Sequence, residues 1–204
     1  MRRMRLRLLL CALVACALVP VAAGASAGDT WTTHRSTSGG FTVSTPSTWI
    51  DMTRLTPQVM ARAKAVPALQ QYIALLRTSK VVKLLVADAG ATSIANRYAS
   101  NLNVVQAPTV GDLRFQRDAT VAGLKSTGVV KDAVHSRYVT LPAGKAVSLQ
   151  YNAQFSTTTP AVALQQFMFV RAGKVTVLTY TTLPKLRGAY APVFARSARS
   201  FRFR

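Results

Sequence analysis

The sequence predicts an α+β domain in which an antiparallel β-sheet is flanked by helices, and three observations carry that prediction. Val147, Leu149, Tyr151, Ala153 and Phe155 alternate strictly with Ser148, Gln150, Asn152 and Gln154, the pattern of an antiparallel strand with one buried face. Near the C-terminus, Leu186, Tyr190, Phe194 and Phe201 fall on one helical face, with Ser197 the one small polar residue among them. Turn residues punctuate the rest at short intervals, at Gly39-Gly40, Pro46, Pro142-Ala143-Gly144 and Ala172-Gly173.

The chain opens with Arg2, Arg3, Arg5 and Arg7, then an apolar run from Leu8 to Val19, a break at Pro20, and Ala25-Ser26-Ala27 before Gly28. That order is a cleaved export signal, and the run is short for a membrane span. Residues 1–27 therefore read as a signal peptide cleaved near Ala27, and 28–204 as a single domain. Leu13-Val14-Ala15-Cys16 offers a lipobox as the alternative, with lipid anchoring at Cys16. Against it, the residues after Cys16 stay apolar as far as Ala23, where a lipoprotein continues with a polar tether. Both cysteines, Cys11 and Cys16, lie in the leader, so the mature domain is expected to have no disulfide.

A Ser/Thr-rich opening leads to a first short strand near Trp31 to His34. Gly39-Gly40 turns the chain into a strand with Phe41 and Val43 on one face and Thr42 and Ser44 on the other. Pro46 cannot donate to a ladder and stops it, and Trp49 and Ile50 then return to the sheet. Trp49 reads as a packing plug, because a buried indole contributes much apolar area. Thr56-Pro57 is a helix start, with a capping hydroxyl and proline at the first helical position. Pro67 breaks or restarts that helix, and Leu69, Tyr72, Ile73 and Leu76 form its next stripe, with Arg77 and Lys80 near its end. Val81 to Ala87 reads as a buried strand, Gly90 to Ser100 as a loop, and Leu102 to Gln106 as a strand stopped by Pro108. Thr109 caps the next helix, with Asp112 in its first turn, Leu113, Val121 and Leu124 inward, Lys125 in its last turn and Gly128 beyond. A meander follows: Val130 to Leu141, the alternating strand, and a hairpin of Leu164 to Val170 and Val175 to Leu183. Pro192 opens or kinks the closing helix.

Charge is the strongest departure from the ordinary. The chain holds 26 Lys and Arg against six acids, all aspartate, for a net +20; without the four leader arginines, 22 minus 6 leaves +16. Ten basic residues and no acid follow Asp132. A field of that size draws polyanions. Outside the cytoplasm the expected partners are anionic lipid headgroups, acidic wall polymers or acidic proteins, reached by peripheral contact; no nucleic acid is expected. The candidate anion-binding residues are Lys185, Arg187, Arg196, Arg199, Arg202 and Arg204, since arginine forks suit phosphate and carboxylate.

Catalytic patterns are sparse. No thiolate or glutamate stands in the mature domain, and two distant histidines, His34 and His135, make a poor zinc set. Asp132 and His135 are three apart on a presumed strand and face opposite sides. There is no Gly-x-Ser-x-Gly elbow, P-loop or dinucleotide fingerprint. The expectation is no catalytic residue, no metal and no cofactor.

The leader followed by GFTVSTPSTW, together with the ending YAPVFARSARSF and its Ser200-Phe201 pair, resembles the PsbP-like group of exported proteins, including the LpqN-like lipoproteins. The residues that carry the resemblance are Gly40, Phe41, Val43, Pro46, Trp49 and the tail. It implies an antiparallel sheet between helical layers and a non-enzymatic role in binding or assembly at an extracytoplasmic surface. The expected function is thus an exported binding or assembly protein of the cell envelope that meets an anionic partner through its basic C-terminal surface. A small-molecule or lipid carrier with a cavity between sheet and helix is the alternative, and a hydrolase ranks third.

Overall fold

The computed structural model describes residues 30–65, 69, 73, 76, 79, 81–157 and 159–204. The leader with Cys11 and Cys16, and the readings placed on Pro67, Tyr72, Arg77 and Lys80, lie outside the described residues.

Gly40 takes a φ of +64°, and the turn it allows joins two antiparallel strands, β1 (Trp31–Ser36) and β2 (Phe41–Pro46). A last short strand, β10 (Arg202–Phe203), pairs with the other side of β2, which makes β2 the centre of a three-stranded sheet. Pro46 ends this sheet, as its missing donor requires. Two residues later β3 (Trp49–Asp51) joins a different sheet of seven strands, in the order β3-β4-β5-β9-β8-β7-β6. Its members are β4 (Val82–Asp88), β5 (Asn101–Pro108), β6 (His135–Leu141), β7 (Gly144–Ala153), β8 (Val162–Arg171) and β9 (Lys174–Thr182). Every neighbouring pair is antiparallel.

Both faces of the large sheet are covered. On one, Leu84, Val86, Leu102, Val104, Phe167, Phe169, Leu178 and Tyr180 pack against Phe41 and Val43 and against Tyr190, Val193 and Phe194. Those last three belong to the closing helix, Arg187–Ser200. The other face divides. Leu85 and Ala87 pack with Ala63 of α1 (Pro57–Ala65) and with Leu69 and Ile73. Val147, Leu149, Tyr151 and Ala153, the alternating set, pack with Leu124. The result is an antiparallel sheet between helical layers, as the resemblance implied.

Several local readings are corrected. The 90–100 stretch is not all loop: it holds a short helix, α2 (Ala91–Asn96), closed by Arg97 at φ +49°. The expected glycine or asparagine is absent from that left-handed cap, so composition hides the helix. Thr109 does not cap the next helix, α3 (Leu113–Ser126); Asp112 does, its carboxylate accepting from the Phe115 N–H at 2.8 Å. The meander begins at His135 rather than Val130, because Asp132 leaves the ladder to accept from the Asn152 backbone and side chain at 2.7 and 2.6 Å. Pro192 sits inside the closing helix, α4 in chain order, where the carbonyl it leaves unpaired belongs to exposed Gly188.

The β8–β9 hairpin turns at Ala172 (φ +47°) and Gly173 (φ +68°), the two positive angles of a type I′ turn. Alanine pays a steric penalty there that asparagine largely avoids. Ala172→Asn is therefore expected to raise stability by about 0.5–1 kcal/mol, read as a higher urea midpoint at unchanged slope.

Candidate functional site

The closing helix is stitched to the small sheet at its last turn. The Ser44 N–H donates to Ser200 Oγ at 2.7 Å, continuing the β2 ladder beyond β10. Phe201, fully buried, leaves the helix in extended form and packs on Phe41 and Phe169, with ring centroids 5.2 and 5.3 Å apart. This path spreads Arg196, Arg199, Arg202 and Arg204 along the small sheet, the basic end of the molecule, from Trp31 to Gly40, and all four are exposed. The Arg196 guanidinium lies 4.2 Å above the Trp31 ring. Arg202 donates to the carbonyls of Arg199 and Phe201 at 2.7 and 2.8 Å, a cation on the negative end of the helix. The Arg204 N–H donates to Gly40 O at 2.8 Å.

Three further cations that the sequence reading missed belong to this end. Arg35 and Arg202 both face Thr42 in register, so they flank it on one side of the small sheet, about 10 Å apart across two strand spacings. Arg171 lies over the Phe203 ring at 5.2 Å, and Lys174 is its hairpin partner. No local signal joins residues 35, 171 and 202; strand register joins 35 to 202, and the Phe203 ring brings in Arg171.

Lys185 and Arg187 do not join them. They sit at the start of α4, about 18 Å from Arg199 along the helix axis at 1.5 Å per residue. Arg187 is engaged there, donating to Asn152 Oδ1 at 2.5 Å. Among the described residues, contacts within 4 Å between a carboxylate and a basic group are two, Arg117–Asp118 at 2.7 Å and His34–Asp51 at 3.9 Å. Neither involves the basic end.

Two buried polar clusters also stand out. His34 joins Thr45 through Nε2 at 2.8 Å and approaches Asp51 through Nδ1, a hydroxyl–imidazole–carboxylate line. Thr45 has no exposed surface, so its hydroxyl meets no substrate. The line ties β1 and β2 to β3 across the change of sheet. Burial lowers the His34 pKa below 6.5, and the Asp51 carboxylate only partly opposes that. With a depressed folded pKa, the unfolded chain binds more protons below pH 6.5. Stability is then full above pH 6.5 and falls as the pH drops towards the folded value. His34→Gln should flatten that part of a stability-against-pH curve; an unchanged slope would remove His34 from the acid response.

In the second cluster, Asp88 accepts from Tyr190 Oη at 2.5 Å, Ser93 Oγ at 2.9 Å and the Gly90 N–H at 2.9 Å. Burial, and then the Asp88 charge, push the Tyr190 hydroxyl well above the usual tyrosine range. Periodicity places Tyr190 on an apolar helical face, and the predicted strand stops at Ala87, one residue short of Asp88. Ser197 is explained in the same way, since its Oγ accepts from the buried Tyr180 hydroxyl at 3.0 Å. Among the described residues no three His, Cys, Asp or Glu side chains gather as a metal site would need.

No known protein family and no curated protein matches this sequence. Solved structures do. The solution structure of cyanobacterial PsbP (CyanoP) from Synechocystis aligns over 94% of this chain and 99% of its own at a TM-score of 0.54 and 14% identity. The Ran-binding protein Mog1p of Saccharomyces cerevisiae aligns over 85% and 95% at 0.53 and 12% identity. LpqN of Mycobacterium tuberculosis, involved in cell envelope biogenesis, aligns over 85% and 90% at 0.51 and 11% identity. At these identities the likeness is one of fold: the chain has the PsbP-like fold.

Proposed function

We propose that this is an exported, non-enzymatic binding or assembly protein of the cell envelope, and that it engages an anionic partner through the basic end. The observation that carries this reading is one of placement. Arg35, Arg171, Lys174, Arg196, Arg199, Arg202 and Arg204 are exposed, and none of them has a carboxylate within 4 Å among the described residues. Unpaired cations spread over and beside the small sheet make a field that attracts phosphate and carboxylate. Trp31 and Phe203 hold two of the guanidinium groups over their rings, which orders them before a ligand arrives. The basic leader with its apolar run supports export. The fold supports a binding role, since it is also that of a Ran-binding protein and of a protein involved in envelope biogenesis.

The carrier alternative asked for a cavity between sheet and helix. Where the closing helix meets the sheet, rings fill the space instead: Tyr180 to Phe194 at 4.9 Å, Tyr190 to Phe194 at 5.7 Å and Trp49 to Phe194 at 6.4 Å.

The test is retention of the mature domain, residues 28–204, on phosphatidylglycerol vesicles, phosphatidylcholine vesicles and phosphocellulose at low and high salt. Binding to both anionic supports, reduced about tenfold or more by salt, is expected. Changing Arg196, Arg199, Arg202 and Arg204 to Gln should abolish it, and changing Lys185 and Arg187 to Gln should not. Failure of the native domain on both anionic supports would end the proposal.

A further inference from the structure

Strand β6 is open along its outer side. It ends the seven-stranded sheet, pairs only with β7 among the described residues, and leaves five of its seven residues exposed. The two-residue turn makes Leu141 and Gly144 a hydrogen-bonded pair, so the bonds to β7 come from Leu141, Val139, Arg137 and His135. Ser136, Tyr138 and Thr140 therefore aim their N–H and C=O groups away from the sheet. Edges of this length are usually shortened, bulged or covered. The opposite edge of the same sheet, β3, has three residues.

The surroundings of this edge are basic on both faces. Arg117 of α3 stands over the half-exposed Tyr138 ring at 5.0 Å, and Arg114 lies one turn before it on the same helix. Arg137, next to Tyr138 on the strand, is exposed on the other face. The nearby acids are engaged: Asp118 holds Arg117, and Asp132 holds Asn152. None of these residues belongs to the basic end.

The geometry points to β6 as the docking edge for an extended, acidic segment of a partner protein, which adds to the sheet as an eighth strand. Main-chain bonds to Ser136, Tyr138 and Thr140 supply the affinity, and side chains alternating towards Arg114 on one face and Arg137 on the other set the preference for Asp and Glu. A second copy of this chain is the competing occupant. Joining β6 to β6 would bring together two chains of net charge +20 and two copies of Arg137, which charge repulsion opposes.

The test titrates isotope-labelled protein with a ten-residue peptide of alternating Thr and Glu. The amide signals of Ser136, Tyr138 and Thr140 should shift and become protected from exchange. The dissociation constant should rise at least tenfold in three cases: when alternate peptide amides are N-methylated, when Glu is replaced by Lys, and when Arg114 and Arg137 are changed to Glu. Arg54→Glu, an equal charge change on the loop after β3, should have a much smaller effect. Tyr138→Pro should also block docking, because its N–H points outward and an edge tolerates proline there; the N-methylated peptide decides the matter if that variant unfolds. Shifts confined to Arg199 and Arg202 and indifferent to N-methylation would overturn the inference while leaving the basic end intact. So would a β6-linked dimer that the peptide does not dissociate.

Discussion

Trp49→Ala is expected to lower stability by about 3–5 kcal/mol, the range for removing a large aromatic from a core that cannot close around the gap. Trp49 is 4% exposed and meets Tyr190 and Phe194 at centroid distances of 6.3 and 6.4 Å. It is also the first paired residue after the chain leaves the small sheet, opposite Asp88 in β4. Its loss opens a gap between the start of the large sheet and the closing helix, and the rings of Tyr190 and Phe194 cannot both move into it. Trp49→Phe should recover part of the loss. Trp31, half-buried at the surface, gives the contrast: Trp31→Ala should cost much less. Urea denaturation followed by far-UV circular dichroism measures all three, and a loss below about 1 kcal/mol for Trp49→Ala would end its role as the plug.

Trp49 also shows what the sequence made legible. A strand that stops at proline and resumes at a large aromatic has one economical explanation, and burial matches it. The alternating strand was equally plain, because a period of two leaves no other regular element. Strand register was not legible. It puts Arg35 and Arg202 on either side of Thr42, across more than a hundred residues of chain, and no pattern local in sequence encodes such a pairing. Buried polar pairs were hidden for a related reason. Tyr190 lies on an apolar helical stripe, and nothing in that stripe announces a carboxylate from β4 beneath its hydroxyl. The tail arginines were read as one basic run because they are close in sequence. A helix separates its two ends, which leaves Lys185 and Arg187 apart from the rest.

Asp88→Ala is the second large effect, expected at about 2–4 kcal/mol. The carboxylate is 5% exposed, with no basic group within 4 Å among the described residues, and its hydrogen bonds hold it in place. Hydrogen bonds to a charged group are each worth about 1.5–3 kcal/mol, and removing the acceptor also leaves the buried Tyr190 and Ser93 hydroxyls without their partner. Asp88→Asn keeps the shape but turns donors towards donors, so it should recover only part of the loss. Tyr190→Phe removes one bond and should cost less, about 1–2 kcal/mol. The double variant should then cost less than the sum of the two single changes, because both remove the same contact. Additive losses would mean that the 2.5 Å bond contributes nothing. The Asp88–Tyr190 bond fastens the first turns of the closing helix to the end of the sheet, while the basic end hangs from its last turn. A folded Asp88→Asn protein should therefore keep its retention on anionic supports. Weakened binding in that variant would mean that the arginines depend on the rigidity of the whole helix, and that fold and site are coupled through α4.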